Sequence, residues 1–367
     1  MNLLPVLLTA LQAQTGLQVA VPLDPEATGT TWMPLQGSTI APDIDWVFYY
    51  IYWISVVFTA IIVGVMIFFA LRYRHRKGVW DGEKSASHGL VLEITWSVIP
   101  FLLTIVMWWQ GVDTFMQAET VPEPGKSMEI NVTAQQWGWT FEHYNGFKET
   151  TELHVPAGEP VTFIMRSNDV LHSFFVPAWR VKKDVVPGRY TKVWVNATEP
   201  GQYTLFCTEY CGLNHSDMMV NVVVHPTREQ LVEYRERGLD IDESEPNNKP
   251  FDEWMEVAAA EYLDRYKGKD SAEIGGMVYQ ERTCMVCHSI DGSVVVGPSW
   301  QGIWGTERQF EDGSSTLVDE NYIRQSILDP NSQLVEGYPN GGMVSFAGQL
   351  TDEEIDGVIA YIKSLGN

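Results

Sequence analysis

The stretch Cys207-Thr-Glu-Tyr-Cys-Gly-Leu-Asn-His-Ser-Asp-Met218 places six potential metal donors within twelve residues: Cys207, Glu209, Cys211, His215, Asp217 and Met218. Thiolate, imidazole and thioether form a soft donor set, which favours copper over magnesium, calcium or manganese. A single-copper electron-transfer site uses one Cys, with His and a weak Met ligand. Two Cys on one short loop can instead bridge two copper ions, with one His for each. The loop carries only His215, so the second imidazole has to come from elsewhere. His172, in Asp169-Val-Leu-His-Ser-Phe174 at the end of a β-patterned run, is the candidate. His143, His154 and His225 are rivals by residue type and are expected on the surface. Glu209 can offer its backbone carbonyl, and Asp217 is expected to be a solvated loop carboxylate.

A second constellation is Cys284-Met-Val-Cys-His288. Cys-x-x-Cys-His is a c-type haem attachment signature, in which two thioethers tether the macrocycle and the adjacent His reaches the iron. A thiol-redox or zinc motif is the competing reading of Cys-x-x-Cys. Met343, beyond a long loop, is the expected sixth ligand, because Met285 lies inside the attachment loop. A His/Met pair raises the reduction potential and leaves no open position on the iron, which suits electron transfer.

These sites need a scaffold. The chain has 367 residues and a formal net charge of −23, which disfavours nucleic acid as a partner and suits a basic docking partner. All four Cys belong to the two constellations, leaving none for a structural disulfide. Residues 1–20 have the apolar run and small-residue zone of a signal peptide, although the positive n-region is missing. Residues 21–42 read as an extended lead-in. No charged residue occurs from Trp46 to Leu71, long enough to cross a hydrocarbon core of about 30 Å as a helix. A second apolar run covers about 90–110 and includes Glu93 and Pro100. The two spans make a hairpin over 43–112. Between them lies Arg72-Tyr-Arg-His-Arg-Lys77, which by the positive-inside rule puts this loop in the cytoplasm. The N-terminus and everything after about residue 110 then lie on the outer face of a bacterial cell membrane. Several of the fourteen Trp flank these spans, as interface aromatics do.

Short alternating runs fill the region 120–226, separated by Pro/Gly turns, and predict a β-sandwich or barrel with the metal loop between two late strands. Residues 227–270 are acidic and helix-prone and read as a linker. Residues 271–367 read as a helical unit ending in a helix whose capping box is Thr351 and Glu354.

Over about residues 40–225 the chain resembles subunit II of the haem–copper cytochrome c oxidases. The hairpin, Leu92-Glu-Ile-Thr-Trp-Ser-Val-Ile-Pro100, Gln136-Trp-Gly-Trp-Thr-Phe141, Asp169-Val-Leu-His-Ser-Phe174, Val186-Pro-Gly-Arg189 and the Cys-x-Glu-x-Cys-x-x-x-His-x-x-Met loop carry this resemblance. With the C-terminal unit included, the chain looks like the fused subunit II of caa-type oxidases. The expected fold is a multidomain membrane protein: a two-helix transmembrane hairpin, a cupredoxin-like β-sandwich and an all-α cytochrome c domain. The resemblance implies that His172, Cys207, Glu209, Cys211, His215 and Met218 hold a binuclear CuA centre, with Glu209 acting through its carbonyl. It implies that the Glu209 side chain binds a magnesium ion shared with subunit I. It matches Trp137 to a surface Trp through which electrons enter CuA, and Glu93 to a carboxylate near a proton-channel mouth. Glu93 is equally placed to cap its helix.

The implied partners are subunit I and the other oxidase subunits, membrane lipid, and cytochrome c or another electron donor. No residue of the chain is poised as acid, base or nucleophile, so a relay is expected: donor, haem c, CuA, then subunit I, where O2 is reduced with proton pumping. Two alternatives compete. One is a subunit of a CuA-containing nitric oxide or nitrous oxide reductase. The other is a copper-delivery protein with Cys-x-x-x-Cys and a distant His, which would need neither His215, Met218 nor a haem domain.

Overall fold

The computed structural model describes residues 20–74, 78, 88–338 and 343–366. The expected signal peptide falls almost wholly outside the described residues, as does part of the basic cluster after Leu71.

Two helices carry the apolar runs. Helix α1 spans Ala41–Arg72 and α2 spans Leu90–Glu119. Both are long and apolar enough to cross a membrane, and the apolar stretch of each is bare of protein cover. They start or end beyond the uncharged runs, because polar turns extend both helices toward the β-domain. Tyr50 Oη donates to Leu103 O at 3.1 Å between them. Pro100 lies inside α2, where its missing N–H removes one ladder bond, and Thr104 Oγ1 donates back to Pro100 O one turn on.

The β-domain is a sandwich of two mixed sheets. Its strands are β1 Ala20–Pro22, β2 Met128–Gln135, β3 Gly138–Glu142, β4 Lys148–Glu149, β5 Glu152–Pro156, β6 Pro160–Ser167, β7 His172–Val176, β8 Val181–Val185, β9 Thr191–Asn196, β10 Gly201–Cys207 and β11 Met219–His225. One sheet runs β5-β11-β10-β7-β8, with β1 added on β10; the other runs β4-β3-β2-β6-β9. Alternating residues of both sheets face inward, including Ile130, Val132, Phe141, Phe163, Phe174, Trp179, Tyr203 and Leu205, all 1% exposed or less.

A buried ion pair joins the hairpin to this sandwich. Arg180, in the left-handed backbone region, contacts Asp45 of α1 through Nε and Nη2 at 2.7 and 2.8 Å. Its guanidinium also donates to the carbonyls of Pro34, Leu35, Pro177 and Ala178. At the end of α2, Glu119 accepts from Lys183 of β8 at 2.7 Å. The guanidinium's remaining donors are satisfied, as a buried charge requires.

After the sandwich, α3 (Arg228–Glu236) and α4 (Phe251–Asp264) lie in the acidic stretch. The apolar side of α4 (Phe251, Trp254, Met255) packs on Met128 and Phe147 of the sandwich. This contact corrects the expectation for three histidines. His143, His154 and His225 are 2%, 4% and 0% exposed, not surface residues. Trp254 stacks on His154, His143 bonds Glu149 at 2.6 Å, and His154 Nδ1 meets His225 Nε2 at 2.8 Å. The linker helix covers them, which neither strand pattern could foretell.

The C-terminal unit contains α5 Ser271–Glu281, a small hairpin β12 Glu307–Gln309 and β13 Ser315–Leu317, α6 Glu320–Leu328 and α7 Asp352–Ser364. Helices α5 and α7 cross at two glycines. A β-carbon on Gly275 would lie 2.0 Å from Gly357 O, so only glycine permits this approach. Ile274, Val278, Ile355, Val358 and Ile362 close the core around the crossing. The capping box expected at Thr351 and Glu354 is present.

Candidate copper centre and haem cleft

Strand β7 starts at His172 and β10 ends at Cys207; Phe174 and Cys207 are paired across the two strands. The twelve-residue loop leaves β10 and returns as β11, so both ends are pinned in the sheet. Its sulfurs face each other at 3.7 Å. His172 Nδ1 lies 3.9 Å from Cys207 Sγ, and His215 Nδ1 lies 3.4 Å from Cys211 Sγ. Met218 Sδ is 3.8 Å from Cys211 Sγ, and Glu209 O is 3.4 Å from Cys207 Sγ. The structure thus brings all six expected donors together in two halves, each with a thiol, an imidazole and one weak donor. His172, Cys207, Cys211 and Met218 are buried, whereas Asp217 is exposed, as expected.

The electrostatics favour a metal-ready site. Burial works against a thiolate at Cys207, but the hydrogen bonds from His172 and from nearby backbone win and lower its pKa. Burial and the neighbouring Cys207 charge raise Cys211. His172 Nε2 donates to Asp169 Oδ1 at 2.8 Å, which leaves Nδ1 free toward the sulfurs. Burial opposes charge on this imidazole, yet Asp169 and Cys207 raise its pKa overall. Fixing the far nitrogen of a ligand histidine sets its tautomer and ring orientation. Asp169 was given no role by sequence reasoning. Its position three residues before His172 was the available signal.

Glu209 turns its carboxylate away from the sulfurs, to Lys182 Nζ at 3.2 Å. Glu93, in the first turn of α2, accepts from Gly89 N at 3.1 Å, the end-capping contact. Trp137 does not lie on the surface: it is 7% exposed and belongs to the sandwich core. It packs on the copper loop, where a β-carbon at Gly212 would meet its Cζ2 at 2.9 Å. The turn bearing Cys284 and Cys287 reaches the same core through Val286 and Cys287, as does Val296 in the loop that follows. Trp139, two residues on in β3, is a core residue 6.2 Å from the His172 ring.

In the C-terminal unit, Cys287, His288, Trp300 and Met343 line an open cleft with a cavity volume of about 140 Å³, walled by Ile327, Val358 and Ile362. A smaller adjoining cleft adds Cys284. His288 Nδ1 donates to Pro298 O at 2.8 Å, which leaves Nε2 as the ligating atom. Trp300 supports the ring at 5.4 Å. Burial pushes the Cys284 thiol up to about 12 and the Cys287 thiol up to about 11. A redox-active Cys-x-x-Cys needs a lowered thiol pKa, so that alternative is disfavoured and a tethered, apolar macrocycle fits the cleft. The Pro298 carbonyl and Trp300 had no sequence signal beyond their nearness to the motif.

Comparison with known proteins agrees with this geometry. The family model for the periplasmic domain of cytochrome c oxidase subunit II matches residues 148–225, and that for cytochrome c matches residues 272–366. A cytochrome c oxidase subunit 2 of Alkalihalophilus pseudofirmus is 31% identical over 312 residues, covering 83% of this chain and 82% of that protein. An alternative cytochrome c oxidase subunit 2 of Bradyrhizobium diazoefficiens is 30% identical over 207 residues, 47% of this chain and 72% of that protein. The crystal structure of the periplasmic domain of subunit II of cytochrome oxidase of Bradyrhizobium japonicum is 26% identical, with a TM-score of 0.28, over 33% of this chain and 100% of that one. On this evidence the chain belongs to the cytochrome c oxidase subunit II family, and is an electron-transfer subunit of a cytochrome c oxidase with its own cytochrome c domain.

Proposed function

We propose that the chain relays electrons from an external donor through haem c to a binuclear CuA centre and on to subunit I, where O2 is reduced to water. The observation that carries this reading is the facing pair of thiols at 3.7 Å, each with its own imidazole nitrogen within 3.9 Å. His172, Cys207, Cys211, His215, Met218 and the Glu209 carbonyl would hold two copper ions, which together accept and release one electron. Cys284 and Cys287 would tether the haem, and His288 and Met343 would supply ligands to its iron.

The chain's own part is to hold these donors still. Both ends of the copper loop are fixed in one sheet, and Asp169 and Pro298 each fix one imidazole. A rigid site changes little on reduction, so transfer is fast at small driving force. The Glu209 carboxylate, facing Lys182 at the domain surface, is the proposed ligand for magnesium shared with subunit I. Glu93 is the proposed carboxylate near the proton-channel mouth of a pumping oxidase. The proposed topology has the basic cluster after Leu71 on the cytoplasmic side and both electron-transfer domains on the outer face, following the positive-inside rule. We also propose the domain limits 43–112, 120–226, 227–270 and 271–367.

A copper-delivery protein is the second reading, and the haem cleft speaks against it. Detergent co-purification tests the proposal. Recovery with a many-span subunit that reduces O2, and with haem c reduced before copper by limiting donor, is expected. A lone chain carrying one exchangeable Cu(I) would overturn it.

A further inference from the structure

The two electron-transfer domains touch beside Trp137. Thr283, immediately before the first haem-domain cysteine, stands in the left-handed backbone region at φ 55°, a conformation that β-branched residues rarely adopt. Its side chain covers Gly138. A β-carbon at Gly138 would lie 3.0 Å from Thr283 Oγ1 and 3.1 Å from its Cγ2. Gln135 and Gln136 also wall the smaller cleft, together with Thr283, Cys284, Cys287, His288 and Met343. One wall of the haem cleft is therefore built by the copper domain.

Gln136 also reaches the copper loop. Its Nε2 donates to Cys211 O at 2.6 Å, and its backbone N–H donates to Asp169 Oδ2 at 2.7 Å. Asp169 in turn holds His172. One residue thus lines the haem cleft, bonds the backbone of one copper-loop cysteine, and bonds the carboxylate that orients the distant histidine.

We infer that residues 135–138 form a seat for the chain's own haem-attachment turn, and that Gln136 is the positioning residue joining this seat to the copper loop. The inference rests on the relay proposed above and adds where its two centres meet. Gly138 suits the seat because a side chain there would press on Thr283. With Trp137 only 7% exposed, an external donor finds no free face on it and must deliver to the haem domain.

The test uses the intact oxidase. Gly138→Val should push Thr283 off the seat. Hydrogen exchange of the amides of residues 283–288 should then rise at least tenfold, and haem-to-copper transfer after flash reduction should slow at least tenfold. Thr283→Gly both frees that space and suits the φ of 55°, so the double variant should recover both values. Gln136→Leu should shift the copper EPR signal without altering the haem spectrum. If Gly138→Val leaves exchange and transfer unchanged, or Thr283→Gly fails to rescue, the seat is refuted. If Gln136→Leu leaves the copper signal untouched, its positioning role is refuted. Copper and haem spectra of the unmodified complex separate these results from failure of the relay reading, which would show as a missing copper-pair signal before any substitution.

Discussion

Asp169 Oδ1 accepts from His172 Nε2 at 2.8 Å, while Nδ1 of the same ring points to Cys207 Sγ at 3.9 Å. The carboxylate therefore chooses which nitrogen is offered to the metal. Supporting contacts of this kind typically carry 10–100-fold of metal affinity. Asp169→Asn keeps the shape but can present its amide N–H to the ring, favouring the wrong tautomer. Copper affinity of this variant should fall roughly 10–100-fold. Competition with a copper chelator measures it, and an unchanged affinity would show that Asp169 is only structural.

His225, buried beneath α4, makes stability depend on pH. His225 Nδ1 donates to Lys249 O at 2.8 Å, and burial pushes the imidazole down to about 3 from 6.5. The folded protein thus keeps His225 neutral where the unfolded chain takes up a proton. Stability should fall as pH drops from about 6.5 toward about 3, by up to about 1.4 kcal/mol per pH unit, with no contribution from His225 at higher pH. His225→Gln, which can still donate to Lys249 O, should flatten part of that slope. Melting of the copper domain at pH 7 and pH 5 makes the comparison; parallel slopes for both proteins would contradict it.

Helices α5 and α7 meet at Gly275 and Gly357, and a β-carbon at Gly275 would sit 2.0 Å from a backbone carbonyl oxygen. No side-chain rotation relieves that clash, so Gly275→Ala must separate the helices. The cost should be at least the roughly 1–3 kcal/mol of ordinary overpacking. Gly276→Ala is the control, since its nearest neighbour would be the Tyr361 ring edge at 3.4 Å. Chemical denaturation followed at the haem should show the first variant weakened and the second close to the unmodified protein.

What the sequence revealed and what it hid follow from distance along the chain. The copper loop and the haem motif were legible because their donors are local and chemically rare. Strands β6 and β9 were legible because apolar and polar residues alternate over one buried face. Strand β8 was not, because Lys182, Lys183 and Asp184 crowd its middle; they face Glu209, Glu119 and Ser173. The histidines under α4 looked exposed because their cover comes from Trp254 and Phe251, in a stretch that reads as linker. Trp137 looked like a surface residue because the turn that closes over its loop lies about 150 residues away in sequence. Gly138 and Thr283, and likewise Gly275 and Gly357, are complementary only in three dimensions.

The central claim is that one loop and one distant histidine hold a pair of copper ions. Metal analysis of the purified oxidase, with only the copper of this chain counted after its sites are distinguished by EPR, tests it most directly. The account predicts two coppers sharing one unpaired electron, with that signal lost in His172→Ala and the haem c spectrum retained. A single copper, or a signal indifferent to His172→Ala, would contradict it.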